Sequence, residues 1–431
     1  MIKKILHQWA TLSPLTRGLW LTVLFSGVLL NIALTQVSYY TSAAHYAGYY
    51  LSKVGLNHFA GDSWGPMTKA ITYAHQFPNN SIYQALFFDG GVKFQYPPSS
   101  LLILEATPLT PQFLNMISWL GVLFVAIISA LLFRRSANSL ANPNWHIRSK
   151  VDSVVSVGAI ILLTLLFYPL TKSFFLGQIQ TWLTLLGALS LLAWSYDRRG
   201  IAGVLLGLAC LIKPQWAVIV LWGALRKQWS MTVAALITIA IFTALSVWLY
   251  GFHQYLDYLK VLSFLSQHGE GFYPNQSVNG LMNRMLFLGN NLEWRGDAFP
   301  PYNAAVYGVT LFTSVLIIGA VLLWRRGQAS VLELALVLVS ATVASPIAWE
   351  HHYGILLPVF AYIAPIVIAQ RVLGKWTVAY LMLAFVLASQ NLELLNNLAS
   401  THLNFLQSYL FFAGLMMLLL LYRASFLAKK I

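Results

Sequence analysis

Chemistry-bearing side chains are scarce in this chain, and they fall in five short clusters. The first is Gly61-Asp62-Ser63-Trp64, with Tyr73, His75, Tyr83 and Asp89 downstream and Phe94-Gln95-Tyr96-Pro97-Pro98 closing the stretch. A carboxylate in such a loop can act as general base on a hydroxyl; a solvated acid or a helix cap is the plainer reading of Asp62 by position alone. The Tyr-Pro-Pro run fixes backbone angles and removes two amide donors, as a turn also would. The second cluster, Lys172 followed by Gly177-Gln178-Ile179-Gln180, opens a predicted helix whose free amides and partial positive charge suit a phosphate. The third is Lys213-Pro214 in the middle of an apolar run, where an ammonium needs a partner, either a phosphate or a structural carboxylate. The fourth is Asn275-Gln276-Ser277 with Asn279-Gly280 and Arg284. A guanidinium there can fork phosphate oxygens, or serve as a surface charge. The fifth, Ser345-Pro346-Ile347-Ala348-Trp349-Glu350-His351-His352-Tyr353, offers an acid, two imidazoles and aromatic faces. Adjacent histidines point to different faces of a helix, so they do not chelate one metal together; interfacial girdling is the bland alternative. Glu105, inside an apolar stretch, is a further candidate.

The elements that must position these groups are membrane helices. Of 431 residues, 58% are hydrophobic and only 9% charged, with a mean hydropathy of +0.68, well outside the range of soluble domains. The net charge of +14 does not indicate nucleic acid. The bases pair at the ends of apolar runs: Arg134/Arg135, Arg148/Lys150, Arg198/Arg199, Arg226/Lys227, Arg325/Arg326, Arg371/Lys375 and Lys429/Lys430. Of the acids, only Asp152, Asp197 and Glu333 fall on that side. This is the positive-inside pattern, with both chain ends and the basic pairs in the cytoplasm. The single Cys210 excludes an intrachain disulfide, and the first apolar run lacks a small-residue cleavage site, so it reads as a retained helix.

At about 20 residues per crossing, full spans are predicted over residues 18–37, 112–133, 151–169, 177–194, 229–250, 304–324, 331–345, 353–368, 376–388 and 403–421. Residues 99–107 are apolar but too short to cross and read as a half-helix. Residues 200–225 have basic pairs at both ends and Lys213-Pro214 in the middle. Each half gives roughly 18 Å of helix, which predicts a re-entrant hairpin carrying Lys213 deep into the membrane. The fold class expected is therefore an all-α polytopic membrane protein. It has about ten full spans plus the hairpin, twelve membrane helices if its arms count separately, in one integral-membrane domain over 1–431. Two outer loops, 38–98 and 251–303, carry short helices. No zinc-type spacing, Walker loop, GxGxxG or DxD motif is present.

The ordered set of an acid in the first loop, Phe94-Gln95-Tyr96-Pro97-Pro98, Gly177-Gln178, Gly203-x-x-x-Gly207-x-x-x-x-x-Lys213-Pro214, Ser277-x-x-Gly280-x-x-x-Arg284 and Ser345-Pro346-x-x-Trp349-x-His351-His352 resembles glycosyltransferase family 87. That family lies within the C-type superfamily of multispanning glycosyltransferases. The likeness runs from about residue 55 to 360. It implies a GT-C fold and a polyprenyl-phosphate-sugar donor, usually mannose, used at the outer face of the bacterial cytoplasmic membrane. Asp62 matches the family's proposed base, with Asp89 as a rival because the spacing to Tyr-Pro-Pro varies. On this expectation Lys172, Gln178, Lys213, Arg284, His351 and His352 bind donor phosphate or substrate. Tyr83, Tyr96, Trp349 and Glu350 line the sugar and acceptor pocket. The reaction is an inverting hexosyl transfer to a lipid or glycan acceptor in envelope glycolipid synthesis. No metal is required, and the only cofactor-like molecule is the lipid-linked donor. A transporter or flippase of lipid-linked sugars is the alternative, since it accounts for the spans, the broken hairpin and Lys213 equally well.

Overall fold

The computed structural model describes residues 9–38, 61–108, 110–147, 149–295, 299–324 and 329–427. The start of the first long loop and the basic residues Arg148, Arg325, Arg326, Lys429 and Lys430 lie outside them. The protein is helical, with no strand among the described residues. Six helices there are long and apolar enough to cross a membrane, or seven if one bent pair counts as a span.

The first span, α1 (Pro14–Val37), contains a π-helical stretch over Val23–Leu29. The irregularity frees carbonyls inside an apolar helix, and side-chain amides take them up. Asn31 donates to the Ser26 and Gly27 carbonyls at 2.9 and 3.2 Å, and Gln390 donates to Ser26 at 3.1 Å. Next come α2 (Trp64–Gln76) and α3 (Pro111–Asn138). The stretch read as a half-helix between them is two short turns, Pro98–Leu101 and Leu102–Glu105. Glu105 there meets His75 at 2.7 Å and the Tyr250 hydroxyl at 3.0 Å.

Helix α4 (Lys150–Leu165) and helix α5 (Tyr168–Leu176) meet at 56°. Pro169 supplies the break by removing a donor and biasing the preceding backbone away from helix. Lys172 therefore sits on a helix rather than in a loop. Gly177 ends α5 in the left-handed region, φ 68°, where glycine carries no steric cost, and α6 (Gln180–Ser195) follows.

The predicted hairpin is α7 (Arg199–Cys210) and α8 (Ala217–Leu225), separated by Lys213 in extended conformation and a turn over Pro214–Trp216. Both arms lean on the start of α9 (Trp229–Tyr250). A Cβ on Gly203 of the first arm would lie 2.2 Å from the Met231 carbonyl oxygen, and one on Gly223 of the second 2.1 Å from Met231 Cε. Two positions twenty residues apart thus meet the same residue, so the chain doubles back and Lys213 is at the tip. The base is pinned by Arg226, which bonds the Glu333 carboxylate at 2.9 and 3.2 Å with both side chains buried.

The second long loop holds two helices, α10 (His253–His268) and α11 (Val278–Met285), before α12 (Ala304–Leu323). At the centre of the bundle is α13 (Val331–Val343), buried along its entire length, as an all-round apolar helix must be. A turn over Glu350–Ile355 leads into α14 (Leu356–Gln370), followed by α15 (Thr377–Ser389) and α16 (Tyr409–Leu427). The expectation of about ten crossings rested on counting apolar runs. Two of those runs, α13 and residues 374–389, form helices of only 10–17 residues, as do the hairpin arms α7 and residues 214–225, which were expected to be short.

Candidate active site

Three irregular segments converge on one cavity of about 680 Å³. The first is the stretch before α2. The last carbonyls of α5 would be orphaned at its C-terminus. The amide of Asp62 donates to Leu176 O at 2.9 Å and that of Ser63 to Gly177 O at 3.3 Å. Capping the helix in this way sets Asp62 beside Gln178. The Gln178 amide nitrogen donates to Asp62 Oδ2 in a short hydrogen bond, while its oxygen accepts from Ser63 Oγ at 2.6 Å. Tyr96 OH lies 2.8 Å from Ser63 Oγ. Asp62 is exposed and lines this concave space. Crowding by protein pushes its pKa above the usual carboxylate value, opposed by the Gln178 hydrogen bond and by the charges of Lys172 and Lys93.

The second segment is the hairpin tip. Ser99 holds it by donating to the Leu211 carbonyl at 2.7 Å. Lys213 Nζ lies 2.6 Å from His352 Nε2, so the ammonium donates to a neutral imidazole. His351 packs edge-on against His352, ring centroids 4.8 Å apart.

The third segment is the run from Ser345 to His352, held by residues 273–277. Asn275 and Trp349 form an isolated antiparallel bridge. Gln276 N donates to Ala348 O at 2.7 Å, and Glu350 N to Pro274 O at 3.0 Å. The buried Glu350 carboxylate accepts from Tyr168 at 2.6 Å and Tyr409 at 3.2 Å.

Of the residues expected from sequence, Asp62, Tyr96, Lys172, Gln178, Lys213, Trp349, Glu350, His351 and His352 all line this cavity. Two do not. Arg284, predicted to meet phosphate, is 1% exposed. Its guanidinium donates to the carbonyls of Asn275 at 2.9 Å and Tyr273 at 3.3 Å, and to Ser408 Oγ at 2.5 Å. It braces the segment that braces Trp349. Tyr83, predicted for the sugar pocket, is fully buried, stacked on Phe94 with its hydroxyl on the Tyr96 carbonyl at 2.7 Å. The rival acid Asp89 is exposed outside the cavity, where Gln84 donates to it.

Sequence reasoning missed Lys69, Lys93, Gln95, Gln215, Tyr258 and Trp294, which also line the cavity. Lys93 pairs with Glu270 at 3.0 Å, and its ammonium stands 4.2 Å from the centre of the Phe299 ring. A lysine immediately before the Phe-Gln-Tyr-Pro-Pro run was the available signal. Among the described residues, no three His, Cys, Asp or Glu side chains are grouped to hold a metal ion.

A carboxylate and several lysines facing one cavity of a helical membrane protein offer acid–base chemistry and charge stabilisation at one place. The sequence model of glycosyltransferase family 87 matches residues 94–348, and the chain belongs to that family. It is a membrane glycosyltransferase. The matched stretch includes Tyr96, Gln178, Lys213 and Arg284, while Asp62 and the His351/His352 pair lie outside it. No curated protein and no solved structure matches the chain.

Proposed function

We propose that the chain transfers a hexose, mannose in this reading, from a polyprenyl-phosphate-linked donor to a hydroxyl of a lipid or glycan acceptor, inverting the anomeric centre. Asp62 takes the proton of the acceptor hydroxyl as its oxygen attacks the anomeric carbon. The bond from that carbon to the phosphate oxygen breaks, and the electron pair leaves with polyprenyl phosphate. The phosphate gains a negative charge in this step. Charges and hydrogen-bond donors that meet it there stabilise the transition state more than the bound substrate. Lys213 and Lys172 are assigned the charge and the neutral His351 and His352 the hydrogen bonding, so the reading needs no metal ion. Tyr96 and Trp349 face the sugar, and Glu350, held by Tyr168 and Tyr409, fixes the segment that carries Trp349. The lipid tail lies against the hairpin and the adjoining apolar cavity wall. The cavity opens at the outer face of the cytoplasmic membrane, opposite the basic pairs, with both chain ends inside.

The observation that carries this reading is a single cavity lined by Asp62 and by Lys172, Lys213, His351 and His352. In it an acid and a phosphate-binding set can act on one bond. The test is mass spectrometry of envelope glycolipids with and without the chain, joined to an assay of purified protein with mannosyl polyprenyl phosphate and envelope lipid extract. A glycolipid product that depends on the chain supports the reading. Movement of labelled donor across liposomes with no glycoside formed would replace it with a transporter.

A further inference from the structure

The Gln178 side chain has no freedom to choose its orientation. Ser63 Oγ accepts the amide N–H of Ile179 at 3.1 Å and lies 2.8 Å from the Tyr96 hydroxyl. With Tyr96 donating to it, its own proton goes to Gln178 Oε1 at 2.6 Å. That contact fixes the amide oxygen on the Ser63 side and turns the nitrogen toward Asp62 Oδ2. A flipped amide would set its oxygen against a carboxylate oxygen, two acceptors in contact with no proton between them. Gln178 is itself only 7% exposed.

We infer that Gln178 is a positioning residue: its amide, oriented by Tyr96 and Ser63, occupies one oxygen of Asp62 and leaves the other to receive the acceptor's proton. The inference rests on Asp62 being the base. In the step, the acceptor O–H bond breaks, Asp62 becomes a neutral acid, and the proton later returns to water in the cavity, with no further reactant. The amide donor favours the ionised carboxylate that must be present before the step. The charged or titratable groups lining the same cavity are Lys172 on α5, Lys69 on α2, Lys93 and Tyr96 on the stretch after it, Lys213 at the hairpin tip, and Glu350, His351 and His352 on the third segment. Lys172 and Lys93 act in the same direction as Gln178 but through space.

The test compares Gln178→Leu, which removes the donor, with Gln178→Glu, which keeps the shape and replaces the donor by an acceptor. Two readouts are followed against pH. One is mannosyl transfer from mannosyl polyprenyl phosphate to envelope lipid extract. The other is labelling of Asp62 by a carbodiimide that attacks protonated carboxyls, read by peptide mass spectrometry, which needs no turnover. Both variants are expected to move the acid limb of transfer and the labelling midpoint together to higher pH, Glu further than Leu. On the acid side the loss in Gln178→Leu should be about tenfold, the scale of one charge-assisted hydrogen bond, shrinking at alkaline pH. Tyr96→Phe, which leaves Ser63 with the Ile179 amide as its one remaining donor, should move both readouts the same way by less. A loss equal at every pH with an unmoved labelling midpoint would mean a structural role only and overturn the inference. Asp62→Asn separates the two layers. If it is inactive while the Gln178 variants leave the midpoint unmoved, only the positioning role falls; if it is active, the base falls and the positioning role with it.

Discussion

Two buried cations in this molecule look alike in sequence and differ in use. Arg284 and Lys213 each sit in a family-like motif, and each is withdrawn from bulk solvent. Arg284 spends its guanidinium on two carbonyls and a hydroxyl. Lys213 bonds one imidazole nitrogen and otherwise looks into the cavity. A cation whose donors are taken by the main chain holds a shape, whereas a cation left facing a cavity can meet a ligand's charge. The same division separates Asp62, which opens on the cavity, from Tyr83, whose hydroxyl is spent on a carbonyl.

The largest effect expected from this division is at Asp62. Asp62→Asn should lower transfer by about a thousandfold, the range of a lost general base, whereas Asp89→Asn should transfer as the parent does in the same lipid-linked mannose assay. Next comes the cation pair itself. Lys213→Met should remain folded in detergent and lose about a hundredfold in transfer, the order of one lost donor to a developing charge. Arg284→Met should instead lose stability by about 3 kcal/mol, because carbonyls it now satisfies are left buried without partners. Measuring thermal midpoint and specific activity side by side decides between them: a stable, inactive Arg284→Met would erase the distinction.

A smaller effect follows from proton linkage. The folded protein holds the Asp62 pKa above the ordinary aspartate value of 3.8, so the ionised acid opposes folding at neutral pH. That penalty is full above the raised folded value, fades as pH falls through it, and is gone below the unfolded value. Asp62→Asn should therefore melt at a higher temperature than the parent at neutral pH, with the gap closing on acidification. A gap of constant size across that range would contradict the linkage. Smallest is Tyr83→Phe, which removes one hydrogen bond worth about 1 kcal/mol and should lower the melting temperature slightly with transfer unchanged.

Nine of the expected residues line one cavity, because polar groups in an apolar chain are conspicuous: each needs a reason to be there. Charge alone could not show whether Arg284 would be consumed by carbonyls, since that depends on the backbone path of residues 273–275. Tyr83 failed as a sugar contact for the same reason. Gln178 was legible as a polar residue at a helix start, but its engagement with Asp62 depends on how α5 is capped. The all-helical membrane class and the hairpin follow from hydropathy and the flanking basic pairs. The number of crossings does not, because buried helices such as α13 need no full membrane length when protein surrounds them. The bend at Pro169 also converted a predicted loop lysine, Lys172, into a helical one.

The glycine contacts under the hairpin give it the character of a ruler. The first arm rests against the α9 backbone with no room for a methyl at position 203, whereas one at 223 would meet the movable end of the Met231 side chain. From Gly203 to the end of α7 at Cys210 is seven residues, about 10 Å of helix, and Lys213 follows three residues on. A small side chain at Gly203 would have to displace the first arm from α9, and the ammonium beyond its far end would move with it. The reach of that charge into the cavity is thus written at the opposite end of the hairpin, in residues that touch no substrate.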